Sequence, residues 1–165
     1  MMVFYLTAEA IASSMLSMDT QPGFAIDGKF YYVFHSGYEY LYPWIQTRLS
    51  KTTLVETVTI VNRIVGPDQF DSGYFLKDVE IRTGTEALFP YFQGLIMSNH
   101  LCGHFQGPGE GAGIYTIKCD DPVSSDYVTV QVINPNHRIL QITEILVNEF
   151  KSTQKGKIKP SNKNY

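Results

Sequence analysis

The chain has 165 residues, 44% of them apolar and 18% charged, with a formal net charge of −3. That length suits one domain with a real core, and the apolar content excludes an intrinsically disordered chain. No run approaches the roughly 18 apolar residues of a membrane-spanning helix, which excludes that class as well.

The charge is unevenly placed. Residues 151–165 hold five lysines and no acid, leaving 8 basic and 16 acidic side chains in residues 1–150. A folded domain of that balance argues against a nucleic-acid-binding face, because phosphate contacts need clustered Lys and Arg. We therefore expect a single globular domain over 1–150 and a basic, disordered tail over 151–165. The opening Met1–Glu9 stretch has no basic n-region and is interrupted by Glu9, which reads against a secretory signal. Two cysteines without dense spacing do not indicate a disulfide framework, so a reducing cytoplasm is the expected setting.

In chain order, Val3–Leu6 reads as a short strand. Thr7 has the character of an N-cap, and 8–17 that of a helix carrying Ile11 and Leu16. Asp27-Gly28, set between 24–26 and Lys29–His35, favours a hairpin turn. Leu54–Val65 is the clearest strand, apolar on both faces, and ends at Gly66-Pro67-Asp68. Tyr74–Arg82 alternates between apolar and charged residues, as a half-buried strand does. Residues 103–113 form a glycine-rich loop. Ile114–Cys119 and Tyr127–Ile133 follow as strands, joined at Asp120-Asp121-Pro122. In the last element, His137, Gln141, Glu144, Asn148 and Lys151 recur at helical spacing opposite Ile139, Ile142 and Leu146, which predicts a helix.

A near-repeat organises this series. Residues 35–46 and 82–93 share Gly37/Gly84, Glu39/Glu86, Leu41/Leu88, Pro43/Pro90 and Gln46/Gln93. Ser36-x-x-Glu39 and Thr83-x-x-Glu86 are capping-box patterns, and Pro43 and Pro90 suit the first position of a helix. With a strand before each copy, the chain reads as two strand–helix–strand units, 24–65 and 72–119. The expected fold is α+β, a ferredoxin-like split βαβ or related mixed sheet, with N- and C-terminal helices. A mostly-β barrel with short helices is the alternative.

Three functional readings follow. The abundance of aromatic residues, 11 Tyr and 10 Phe, favours a non-catalytic cytoplasmic binding module. It would engage a protein partner or small molecule through Tyr40, Trp44 and Tyr91. The alternative is a small enzyme, metal-dependent or cysteine-based, centred on His100, Cys102 and His104. Those three alternate, so an extended backbone points them one way, and zinc would accept them with Cys119 or an acid completing the shell. A structural or assembly subunit is the third. The segment Gly107–Gly113 lacks the flanking strand and helix, and the Lys-Ser/Thr, of a nucleotide loop.

Overall fold

A computed structural model of the protein describes residues 7–64 and 72–151. Their regular structure is nine β-strands and three short 3-10 helices, at Met18–Thr20, Pro22–Ile26 and Gly73–Phe75, with no α-helix among the described residues. The strands are β1 (Thr7–Ala12), β2 (Phe34–His35), β3 (Trp44–Val61), β4 (Val79–Gly84), β5 (His100–Phe105), β6 (Ile114–Lys118), β7 (Ser124–Val132), β8 (Gln141–Ile142) and β9 (Glu144–Glu149).

The architecture is built on β3, whose 18 residues serve two layers. Its first half pairs antiparallel with β1 and β7, and the layer continues through β4 to β5. Its second half pairs with β6 and β9. Ile45 and Leu49 from the first half, and Val55, Val58 and Ile60 from the second, meet in one core with Val79, Ile81, Val128, Val130, Ile145 and Val147. This is a β-sandwich in which apolar faces from both layers pack across a common interior. A register shift between Val55 and Thr57 changes the parity of the strand, so the even-numbered Val58 and Ile60 continue an inward face begun by odd-numbered residues. A small two-stranded sheet, β2 with β8, lies outside this path. The disulfide Cys102–Cys119 joins β5 to the residue following β6, linking the two layers.

The α+β expectation is therefore corrected, and both terminal helices with it. Residues 7–12 pair with β3 as a strand, and tertiary pairing overrides the helical propensity of their alanines. Residues 141–142 and 144–149 are strands whose β-branched residues pack inward. The polar residues that mimicked a helical face are mostly buried in specific hydrogen bonds. The Ser72 hydroxyl donates to Gln141 Oε1 at 3.0 Å, and His137 Nε2 lies 2.5 Å from the Phe75 carbonyl. The Asp27-Gly28 hairpin is absent too, since a 3-10 helix ends just before it. Val3–Leu6, the 66–68 turn and residues 152–165 of the tail lie outside the described residues.

The two repeat copies are not one unit used twice. The first runs from β2 through irregular chain into β3; the second leaves β4 and stays irregular to residue 93. Instead of capping a helix, the Ser36 hydroxyl accepts the Leu140 amide at 3.0 Å, and Thr83 is a strand residue with a buried, unpartnered hydroxyl. What the copies do is pack on one another. Residues 85–99 fold back as a strap over the outer face of β3 and β7, and buried polar side chains hold them there. Gln46 accepts the Leu88 amide at 2.8 Å and donates to the Glu86 carbonyl at 3.2 Å. Gln131 accepts the Ile96 amide at 2.8 Å and donates to the Gly94 and Tyr42 carbonyls at 2.8 and 3.0 Å. The Trp44 indole N–H donates to the Phe92 carbonyl at 2.8 Å.

Two stability outcomes follow from these links. Gln131→Ala leaves an amide and two carbonyls buried without partners, and we expect a loss of about 2–4 kcal/mol in urea denaturation. Replacing both cysteines by serine opens a loop with a sequence separation of 17, at a cost of roughly 3 kcal/mol in the same measurement.

Candidate functional site

The residues singled out in the sequence do not converge. Trp44 is completely buried beneath the strap, so its ring presents no binding surface. Tyr91 is 68% exposed and Tyr40 half-buried, but neither lines a described cavity. His100 and His104 are exposed on β5, while Cys102 between them is buried. A register shift opposite Ile81/Arg82 makes Cys102 the extra residue of a bulge and breaks the alternation that would have aligned the three. The Cys102 sulfur is bonded to Cys119, leaving no thiolate for a metal or for nucleophilic attack. Among the described residues, no group of three His, Cys, Asp or Glu side chains is placed to hold a metal ion. The zinc reading is corrected on these grounds.

A different cluster forms where β3 ends and the β1–β2, β5–β6 and β8–β9 connections meet. A cavity of about 220 Å³ there is lined by Phe30, Tyr31, Tyr32, Val33, Arg63, Ile64 and Thr143. Its aromatic wall rises from the turn at Asp27–Lys29, where Asp27 Oδ1 accepts the Lys29 amide at 2.8 Å. Tyr32 stacks on Phe24 with ring centroids 4.6 Å apart and an interplanar angle of 16°. Tyr31 leans against Tyr32 at 4.5 Å. Braced in this way, the Tyr31 ring remains 73% exposed and that of Tyr32 41% exposed. The Lys29 ammonium lies 5.8 Å from the Tyr32 ring centroid, within cation–π range.

Arg63 reaches the same lining from the end of β3, where buried hydrogen bonds hold the chain. Asn62, fully buried, donates to the Gly73 and Glu110 carbonyls at 2.8 and 2.9 Å and accepts the Arg63 amide at 2.8 Å. Ala112 donates to the Arg63 carbonyl at 2.8 Å. The glycine-rich connection is thus tied to the end of β3, and its glycines allow the approach. A Cβ on Gly73 would lie 2.2 Å from the Gly111 amide nitrogen. The Arg63 backbone is clamped, while its guanidinium has no hydrogen bond or ion pair with any described residue.

Two buried titratable groups stand behind the cavity. His35 holds the Ser36 carbonyl 2.5 Å from Nδ1 and meets Tyr38 edge-on at 5.3 Å. Burial, with a smaller contribution from the Arg63 charge, lowers its pKa and favours the neutral ring. Glu144, at the start of β9, accepts the Gly28 amide at 3.1 Å through Oε2, and its Oε1 is buried without a partner. Burial, opposed by that hydrogen bond and reinforced by Asp27, raises its pKa to about 7.

The sequence reading passed over this cluster because it took Lys29–His35 as a strand. One signal was present: three consecutive aromatics, Phe30, Tyr31 and Tyr32, cannot all face one core from an extended backbone. Arg63, the lone cation at the end of an apolar strand, was the other.

Two further cavities offer less. One of about 250 Å³, against the strap, is lined by apolar side chains and Ser98. One of about 160 Å³ lies beside the Glu9–Arg48 ion pair.

No family model matches the chain, and no curated protein matches it. Solved structures do. The serum fucolectin of striped bass, Morone saxatilis, is 23% identical with a TM-score of 0.71, covering 89% of this chain and 48% of the lectin chain. This protein therefore spans about half the length of that lectin. The lectin domain of lectinolysin, solved with Lewis B antigen, is 19% identical with a TM-score of 0.64 over 87% of this chain and 93% of its own. The family 32 carbohydrate-binding module of NanJ from Clostridium perfringens, solved with galactose, is 17% identical with a TM-score of 0.61 over 84% and 91%. At these identities the likeness establishes the fold, a β-sandwich shared with lectin and carbohydrate-binding modules.

The Glu144 carboxyl carries a pH outcome. Its folded pKa lies above the ordinary value of 4.5, so the folded state holds the proton more tightly than the unfolded chain. Stability is then greatest below pH 4.5 as far as this group is concerned and falls as pH rises toward 7. The span amounts to about 3 kcal/mol. We expect Glu144→Gln to be more stable than the parent at pH 8 and to flatten that decline, read from chemical denaturation between pH 5 and 8.

Proposed function

We propose that the protein is a non-catalytic binding module for a saccharide, seated in the cavity between Tyr31, Tyr32 and Arg63. The exposed pair of braced tyrosine rings, lining one cavity with a guanidinium that has no partner among the described residues, carries this reading. A sugar ring offers an apolar C–H face that packs on an aromatic ring, and hydroxyls at its edge that accept from a planar, multi-donor group. The cavity lining supplies both. Its volume of about 220 Å³ suits one small ring better than an extended ligand. The sandwich fold, shared with modules solved in complex with galactose and Lewis B antigen, supports the same class of ligand.

The paired cysteines favour an oxidising compartment over the cytoplasm expected from the sequence, because reducing cytosol keeps such thiols apart. A lectin-like module outside the reducing cytosol would also meet its glycans there.

Calorimetry with galactose, N-acetylgalactosamine, fucose and short oligosaccharides tests the reading. Tyr31→Ala should weaken binding about tenfold, by loss of one stacked ring worth roughly 1–1.5 kcal/mol, with an unchanged melting temperature. A panel with no saccharide bound, or an affinity indifferent to Tyr31, would overturn it.

A further inference from the structure

We propose that the natural ligand of this cavity carries an anionic group, a carboxylate or sulfate ester on the sugar, held by Arg63; this rests on the saccharide reading above. The other cations with ion pairs in the described structure are spoken for. Arg48 pairs with Glu9 at 3.1 Å, Lys51 with Glu149 at 2.7 Å, and Arg82 with Glu80 at 2.9 Å. Arg63 differs. It stands in a cavity, and its guanidinium has no acidic partner among the described residues.

The remaining lining is Phe30, Tyr31, Tyr32, Val33, Ile64 and Thr143, and none of these carries a charge at neutral pH. The acids near the aromatic turn are already engaged. Asp27 accepts the Lys29 amide and Glu144 the Gly28 amide, with Glu144 itself fully buried. Lys29 adds a second positive charge on the rim, over Tyr32. His35 lies near enough for the Arg63 charge to lower its pKa, and an imidazole supplies no negative charge in either protonation state.

Among the described residues, then, no carboxylate stands in the cavity lining beside the Arg63 charge. Low-dielectric aromatic walls strengthen such a field, and a planar guanidinium can meet a carboxylate or sulfate through two parallel hydrogen bonds. The preparation of the arginine supports this. Asn62 and Ala112 fix its backbone through the 2.8 Å bonds to its amide and carbonyl, so little ordering of the main chain is left to occur on binding.

The experiment is calorimetry in low salt with three matched probes: galactose, galactose 6-sulfate and galacturonic acid. We expect at least one acidic probe to bind about tenfold more tightly than galactose, with the preference shrinking in 0.5 M NaCl. The two acidic arms separate sulfate from carboxylate recognition. Arg63→Gln should weaken the acidic probe about tenfold more than it weakens galactose, so that the preference is abolished, and Arg63→Lys should retain part of it. Melting temperatures control for folding. If galactose binds as well as both acidic probes, or the preference survives in Arg63→Gln, this inference fails and the saccharide reading stands. If no saccharide in any arm binds, both fail.

Discussion

One strand carries the structure. β3 hydrogen-bonds to β1 and β7 with its first half and to β6 and β9 with its second, so both layers of the sandwich depend on its path. A strand shared this way must keep an apolar face inward through its whole length, and a shift of register beyond Val55 resets the alternation to do so. The residues immediately after Val61 then inherit a defined position. Asn62 is buried against the glycine-rich connection and Arg63 enters the cavity that Tyr31 and Tyr32 also line, so the element that builds the core also delivers the cation of the cavity.

The connections are held by buried polar side chains in place of helices. Gln46 and Gln131 tie the 85–99 strap to the outer face, Asn62 ties the glycine-rich connection to β3, and Ser36 ties β2 to Leu140. Burying an amide is costly unless its partners are supplied, and each of these has them. Glu144, like the Thr7 and Thr83 hydroxyls, departs from this rule. One of its oxygens is buried without a partner, which is why its proton is retained toward neutral pH. Its other oxygen braces the turn that carries the aromatic wall. Folding electrostatics and site geometry therefore meet at this residue.

Some of the fold was legible from pattern. The apolar run of β3 and the alternations of β6, β7 and β4 announced strands because local periodicity and tertiary environment agree there. The first and last elements misled for the opposite reason. Alanines in β1 and evenly spaced polar residues in 137–151 satisfy a helical template locally, while the hydrogen bonds that make them strands come from β3, far along the chain. The near-repeat misled likewise. Its hydroxyls and prolines have a helical meaning within a dozen residues, but Ser36 finds its partner at Leu140 and Gln46 finds its partners at 86 and 88.

By itself the sequence determined composition, charge, the second half of β3, the strands β4, β6 and β7, and the expectation of an aromatic-rich binding protein, because those depend on residue type and short-range spacing. Tertiary structure alone decided the layers, the disulfide and the cavity, since each joins residues distant in sequence. Cys102 and Cys119 look unremarkable until β5 and β6 lie side by side. Tyr31 and Arg63, separated by β2 and the whole of β3, come to line one cavity only when that strand has crossed from one layer to the other.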